Sequence, residues 1–307
     1  MGRDPDYLEF MRRRLAGRPP AGPRTIERLR REHAADLAAL PRPPVGVVED
    51  ITLDGPGGPL PARLYRPAGD SPVPGLVYFH GGGWVLGDVE SYDPVVRALA
   101  VASGVGWVSV DYRRPPEHPF PAPVDDAVAA IAQVTARARD LGLDPDRIGA
   151  AGDSAGGQLA ASALLRLRET GHARPALQLL VYPAVDLREI PPRLPDPDGL
   201  DFGPSGLERI VRLYLGDTDR HRPEVSPLLD PDPGGLPPTI IATAEYDMLR
   251  PQAEEYARRL RAAGVPTTLI TGTGLDHGYL GWGSYARRPA EVVAEIGTAV
   301  REALGAS

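Results

Sequence analysis

The sequence predicts an α/β fold in which a mostly parallel, twisted sheet is wrapped by helices. Three observations carry this expectation. From residue 75 onward, short apolar runs of strand length alternate with longer segments of helical spacing, the pattern of repeated βαβ units. Those runs are short and continuous, as in parallel strands covered on both faces. The 36 prolines concentrate in blocks between the periodic segments, where they mark connections.

Taken in order, Tyr7, Leu8, Met11 and Leu15 have helical spacing, and Ile26, Leu29, His33, Leu37 and Leu40 form a second stripe at steps of three and four, so two helices are expected first. Val45 to Leu53 and Leu60 to Tyr65 alternate like strands around Asp54-Gly55-Pro56-Gly57-Gly58, which predicts a hairpin. Further strands are expected at Gly75 to Phe79, Gly106 to Val110, Arg147 to Ala151, Leu177 to Tyr182, Thr239 to Ala244 and Thr267 to Thr271. Helices are expected at Tyr92 to Ser103, Pro123 to Leu141, Ser154 to Thr170, Pro251 to Ala263 and Pro289 to Leu304. The connection after Tyr182 is too long for a βα loop and is Pro-rich to Ser205; within it Leu207, Ile210, Val211 and Tyr214 share one helical face. No internal repeat is present.

Composition narrows the chemistry. All 34 basic residues are arginine, and lysine, cysteine and asparagine are absent. That excludes a thiol nucleophile, a Schiff-base or P-loop lysine, a disulfide and Asn-linked glycosylation. A net charge of -7 argues against a nucleic-acid or anionic-membrane binder, which needs a basic face. Met1 to Gly17 mixes charges of both signs, so no secretory leader is expected; Gly2 is followed by Asp6 where myristoylation needs Ser or Thr, and no apolar run reaches the length of a membrane span. The expectation is a soluble, cytoplasmic protein without a stable membrane anchor.

The strongest local signal is Gly152-Asp153-Ser154-Ala155-Gly156-Gly157, a G-x-S-x-G sequence between an expected strand and an expected helix. On such a turn the serine hydroxyl is exposed, and side chains at the flanking glycines would crowd it. Read blandly, it is a Gly-rich strand-to-helix turn without chemistry, or a phosphate loop. His80-Gly81-Gly82-Gly83-Trp84 follows another strand, and consecutive glycines let backbone N–H groups approach a substrate oxygen. The N–H groups of Gly82, Gly83 and Ala155 are the candidate oxyanion hole. A phosphate loop is disfavoured because no lysine exists to neutralise the charge.

Serine at neutral pH needs a base. Of six histidines, His33 lies on an apolar helical stripe, His118 in a proline block, His172 and His221 in polar turns, and His80 in the glycine loop. His277 lies just beyond the last expected strand, where open α/β sheets place their sites. The orienting acid should fall between serine and histidine in the chain; Asp247 follows a strand end and leads, with Glu245 and Asp276 as rivals.

With these motifs the chain resembles the hormone-sensitive-lipase-like family of α/β-hydrolases, bacterial carboxylesterases marked by HGGG and GDSAG. The resemblance runs from about Val45 to the carboxyl terminus and includes Asp111-Tyr112-Arg113, Pro116-Glu117-His118-Pro119-Phe120-Pro121, Tyr182-Pro183, Ser226-Pro227-Leu228 and Leu260 to Val265. It implies the α/β-hydrolase fold and the triad Ser154, Asp247 and His277. It implies a cap built from residues 1–44 and an insertion at 187–222, set on a catalytic domain of 45–186 and 223–307. Departures include Arg114-Pro115 before Pro116, Thr271-Gly272-Thr273-Gly274 ahead of the histidine, Tyr279 for the usual Phe, and Gln158 where Asn often stands.

The expected function is a serine carboxylesterase acting on small to medium acyl esters through an acyl-enzyme, with no metal and no cofactor. Lactone, amide or biosynthetic acyl-intermediate hydrolysis by the same triad is the alternative, and a non-catalytic small-molecule receptor is the alternative from another class. Candidate substrate contacts are Trp84, Phe202, Leu207, Ile210 and Tyr214, with Leu8 and Phe10 as further cap candidates; the same stripes equally suit packing between cap and main domain. Family members often dimerise near the last edge strand, so Thr267 to Thr271 is a candidate homodimer edge or an ordinary protected one.

Overall fold

The computed structural model describes residues 2–17, 25–69, 71–171, 175–192, 198 and 206–306. Its centre is an eight-stranded sheet: β1 (Val47–Gly55), β2 (Gly58–Arg66), β3 (Val73–Phe79), β4 (Gly106–Val110), β5 (Leu143–Asp153), β6 (Gln178–Val181), β7 (Thr239–Tyr246) and β8 (Thr267–Asp276), in the spatial order β1-β2-β4-β3-β5-β6-β7-β8. β2 runs antiparallel to both β1 and β4, and every other neighbouring pair is parallel.

The hairpin forms as its sequence predicts, but tighter: Gly55 pairs with Gly58, leaving Pro56-Gly57 as the turn. Helices α1 (Pro5–Ala16) and α2 (Ile26–Ala38) precede the sheet, and α3 (Val89–Ser103), α4 (Ala122–Ala136), α5 (Ala155–Thr170), α6 (Leu207–Leu215), α7 (Arg250–Ala262) and α8 (Arg287–Ala303) follow in turn. α4 stops short of the expected Leu141. The chain leaves the helix in a run of turns through Gly142, whose positive φ of 68° lets Leu143 enter β5.

Two apolar layers cover the two faces of the sheet. One gathers Val77, Phe79, Val108, Ile131, Leu159, Leu164 and Tyr256; the other gathers Tyr78, Val96, Trp107, Leu179, Val292 and Ile296. Burial on both faces explains why β3 to β6 lack alternation in the sequence. Among the described residues, no helix is long and apolar enough to cross a membrane.

Candidate active site

Ser154 sits between the end of β5 and the start of α5, with φ 54° and ψ -116°. Positive φ is uncommon for a side chain other than glycine and stores strain, so the surroundings must enforce it. They do so by close approach. A Cβ on Gly156 would overlap the Phe79 carbonyl oxygen, and one on Gly152 would overlap that of Gly156. The Ser154 N–H donates to the Val181 carbonyl at 2.8 Å, tying the turn to β6. Only glycine fits those flanking positions, which is the physical content of the G-x-S-x-G spacing.

The loop after β3 runs alongside. Gly82 and Gly83 take φ values of 98° and 61°, and Trp84 one of 63°. The Gly81 N–H donates to Asp153 Oδ1 at 2.7 Å, and the Leu86 N–H to the Gly82 carbonyl at 2.9 Å. Ala155 opens α5, where an N–H has no acceptor within its own helix. The N–H groups of Gly82 and Gly83 have no protein acceptor among the described residues.

Asp247 and His277 follow the carboxyl ends of the neighbouring parallel strands β7 and β8. His277 Nδ1 lies 2.7 Å from Asp247 Oδ2 and Nε2 lies 2.9 Å from Ser154 Oγ. A carboxylate can only accept, so Nδ1 carries the proton and Nε2 is left to accept from the serine hydroxyl. Asp247 is buried, and its Oδ1 accepts the Leu249 N–H at 2.9 Å, which fixes the carboxylate plane. Burial lowers the His277 pKa, but the charge of Asp247 and its hydrogen bond, with Asp153 and Asp276 beyond, raise it above the usual imidazole value on balance.

The rival acids are engaged elsewhere. Glu245 Oε2 accepts the Gly274 N–H at 2.7 Å, and Asp276 is gripped by Arg3 at 2.8 and 2.7 Å. His80 is buried between the rings of Tyr92 and Tyr112, and burial pushes its pKa down to about 3. His33 packs against Tyr92, His118 is exposed, and His221 pairs with Asp219; His172 lies outside the described residues.

The candidate substrate contacts separate. Trp84 and Tyr214 are buried against each other, stacked with centroids 4.5 Å apart. Leu207 and Ile210 on α6 are half-buried. A Cβ on Gly83 would lie 2.7 Å from Ile210 Cγ2, so α6 lies directly over the glycine loop. Phe10 packs instead on Trp282 and Tyr285, Leu8 is half-buried, and Phe202 lies outside the described residues.

Two residues that the sequence reading names without giving them a role complete the surroundings. Asp153, the variable position of the serine motif, is buried and also accepts from the Tyr78 hydroxyl at 2.5 Å. Gln158 Oε1 accepts from Trp84 Nε1 at 2.9 Å and from the Tyr214 hydroxyl at 3.3 Å.

Comparison with known proteins agrees with this arrangement of elements. A family described by its alpha/beta hydrolase fold matches residues 76–281. The chain is 39% identical over 258 residues to the esterase LipI of Mycobacterium tuberculosis, covering 82% of this chain and 81% of that protein. It is 35% identical over 280 residues to an arylesterase of Saccharolobus solfataricus, covering 86% of each. Among solved structures, a hyperthermophilic esterase from the archaeon Pyrobaculum calidifontis matches with a TM-score of 0.89 at 35% identity, over 98% of this chain and 99% of that one.

Proposed function

The chain belongs to the α/β-hydrolase family, among its hormone-sensitive-lipase-like carboxylesterases, and from that premise we propose that it cleaves small to medium acyl esters with Ser154 as nucleophile, His277 as base and Asp247 as orienting acid. It is a carboxylic ester hydrolase. The observation that carries the assignment of residues is the continuous chain of hydrogen bonds from Asp247 Oδ2 through His277 to Ser154 Oγ, at 2.7 and 2.9 Å.

In the first half-reaction His277 Nε2 takes the hydroxyl proton as Ser154 Oγ bonds to the ester carbonyl carbon. The carbonyl oxygen becomes an oxyanion, received by the N–H groups of Gly82, Gly83 and Ala155. The intermediate collapses with loss of the alcohol, which leaves with the proton from His277. Water, deprotonated by the same nitrogen, then releases the carboxylic acid and restores Ser154. Asp247 holds the Nδ1 proton of His277 in place and stabilises the imidazolium formed in each half.

The small to medium acyl range is supported by α6, which brings Ile210 onto Gly83 in the loop proposed to receive the oxyanion. As part of the same reading, β8 is an edge strand and a candidate for pairing with a second copy, which gel filtration with light scattering tests. Initial rates on p-nitrophenyl esters from acetyl to dodecanoyl, for the wild type and Ser154→Ala in parallel, test the whole. Turnover confined to the wild type with an optimum at small to medium chains is expected. Equal turnover by Ser154→Ala would overturn it.

A further inference from the structure

The segment ahead of α1 brings one buried cation to the carboxyl ends of the two strands that lead into Asp247 and His277. The Arg3 side chain is 3% exposed. Its guanidinium makes a two-pronged bond to Asp276, Nε to Oδ2 at 2.8 Å and Nη2 to Oδ1 at 2.7 Å. Its Cζ also lies 4.6 Å from the ring centroid of Tyr246. Asp276 immediately precedes His277 and Tyr246 immediately precedes Asp247. The two are register partners across β7 and β8, beyond an irregularity that begins after Ala244. One side chain therefore grips both residues that present the acid and the base.

We propose that Arg3 is a positioning residue for ester hydrolysis, clamping Asp276 and Tyr246 so that His277 and Asp247 keep the separation and alignment needed to activate Ser154. The inference rests on the roles proposed above for those three residues.

The geometry favours arginine specifically. A planar guanidinium engages a carboxylate through two parallel bonds while lying over an aromatic ring, and lysine can do only one of these well. The clamp has further anchors on the same segment: the Asp4 N–H donates to the Gly274 carbonyl at 3.2 Å, and Arg3 Nη1 reaches Asp198 Oδ2 at 3.0 Å. Asp198 belongs to the connection between β6 and β7, so Arg3 joins the amino-terminal segment, that connection and the histidine loop at one point. The β7 to β8 ladder is irregular here, so backbone pairing alone leaves the relative position of these strand ends loosely defined.

The test compares the wild type with Arg3→Met, Arg3→Lys and Asp276→Asn. It measures kcat and KM on p-nitrophenyl butyrate and the rate at which a fluorophosphonate labels the serine. Displacing a catalytic group by about 1 Å can cost roughly a hundredfold, so a partial loosening is expected to lower kcat and the labelling rate by about tenfold in Arg3→Met. KM should stay within about twofold, because ester binding does not use the clamp. Asp276→Asn should match that loss, and Arg3→Lys should recover part of it. A folded Arg3→Met with unchanged kcat and labelling rate overturns the proposal, as does a loss confined to KM. If Arg3→Met does not fold, Arg3→Lys and Asp276→Asn are judged by the same two readouts. Ser154→Ala serves as the control: labelling or turnover that survives it refutes the underlying assignment of residues, whereas serine-dependent labelling insensitive to Arg3 refutes only the clamp.

Discussion

Asp153 accepts the Gly81 N–H at 2.7 Å, so the residue beside the proposed nucleophile holds the first peptide of the loop proposed to receive the oxyanion. The bond joins the ends of β5 and β3 and couples the two glycine motifs, which lie far apart in sequence.

A stability effect of Asp153 follows. Burial raises its pKa to about 6, against the hydrogen bonds from Tyr78 and Gly81, which favour the charged form. The folded protein therefore binds this proton more tightly than the unfolded chain, whose carboxyl titrates near the ordinary value of about 4. Its stabilisation is complete below about pH 4 and is lost as pH rises through 6. Asp153→Asn keeps an oxygen acceptor for both donors and removes the buried charge. Calorimetry is expected to put its Tm about 2 °C above wild type at pH 7.5, with the gap closed at pH 4. A gap independent of pH would contradict this account.

His277 can act as a base only while neutral, and its pKa is raised. The acid limb of kcat/KM should accordingly lie above the usual imidazole value of about 6.5. Asp247→Asn removes the charge and the strong hydrogen bond that raise it, so the limb should move to lower pH. The same change permits the wrong tautomer, and kcat should fall by about a thousandfold or more. A pH profile of the variant on a reactive ester reads both effects; an upward move of the limb would reject Asp247 as the partner.

The contact between α6 and the glycine loop gives a paired experiment. Gly83→Ala places a Cβ 2.7 Å from Ile210 Cγ2 at a φ of 61°, so it meets both backbone strain and overlap. The strain alone costs about 1 kcal/mol, and the remaining loss should come from the overlap. Removing the obstacle with Ile210→Ala in the same chain should recover part of the activity. If the double variant is as impaired as the single one, the backbone alone forbids the substitution and α6 does not limit this space.

The sequence made much of this site legible, for reasons that differ from residue to residue. Gly152 and Gly156 were readable because close backbone approach admits no Cβ, and such a constraint has no substitute. Asp247 and His277 were readable from strand-end placement and chain order. Arg3 was not: a lone arginine in a charged segment looks like solvated surface, and its burial depends on a strand pair formed by residues more than 240 positions away. Trp84 and Tyr214 were ambiguous for a related reason. Helical spacing shows which residues share a face but not whether that face meets substrate or protein.

Gln158 makes that last ambiguity testable. Its side chain is fully buried, and its oxygen accepts from both Trp84 and Tyr214 while its nitrogen donates to Ser162 Oγ at 2.9 Å and the Val225 carbonyl at 3.2 Å. It thus joins α5, the glycine loop and α6. Gln158→Leu has similar volume but leaves the indole N–H and the Tyr214 hydroxyl without partners, and should lower unfolding stability by about 2–3 kcal/mol in denaturant melts. Tyr214→Phe keeps the stacked ring and loses only the longer bond, so its cost should stay below about 1 kcal/mol. The two variants should also differ in substrate range. Freed from Gln158, α6 is expected to shift away from Gly83, and the p-nitrophenyl ester optimum should broaden toward longer chains in Gln158→Leu but not in Tyr214→Phe. An unchanged optimum in a destabilised Gln158→Leu would mean that the network supports the fold without setting the acyl space.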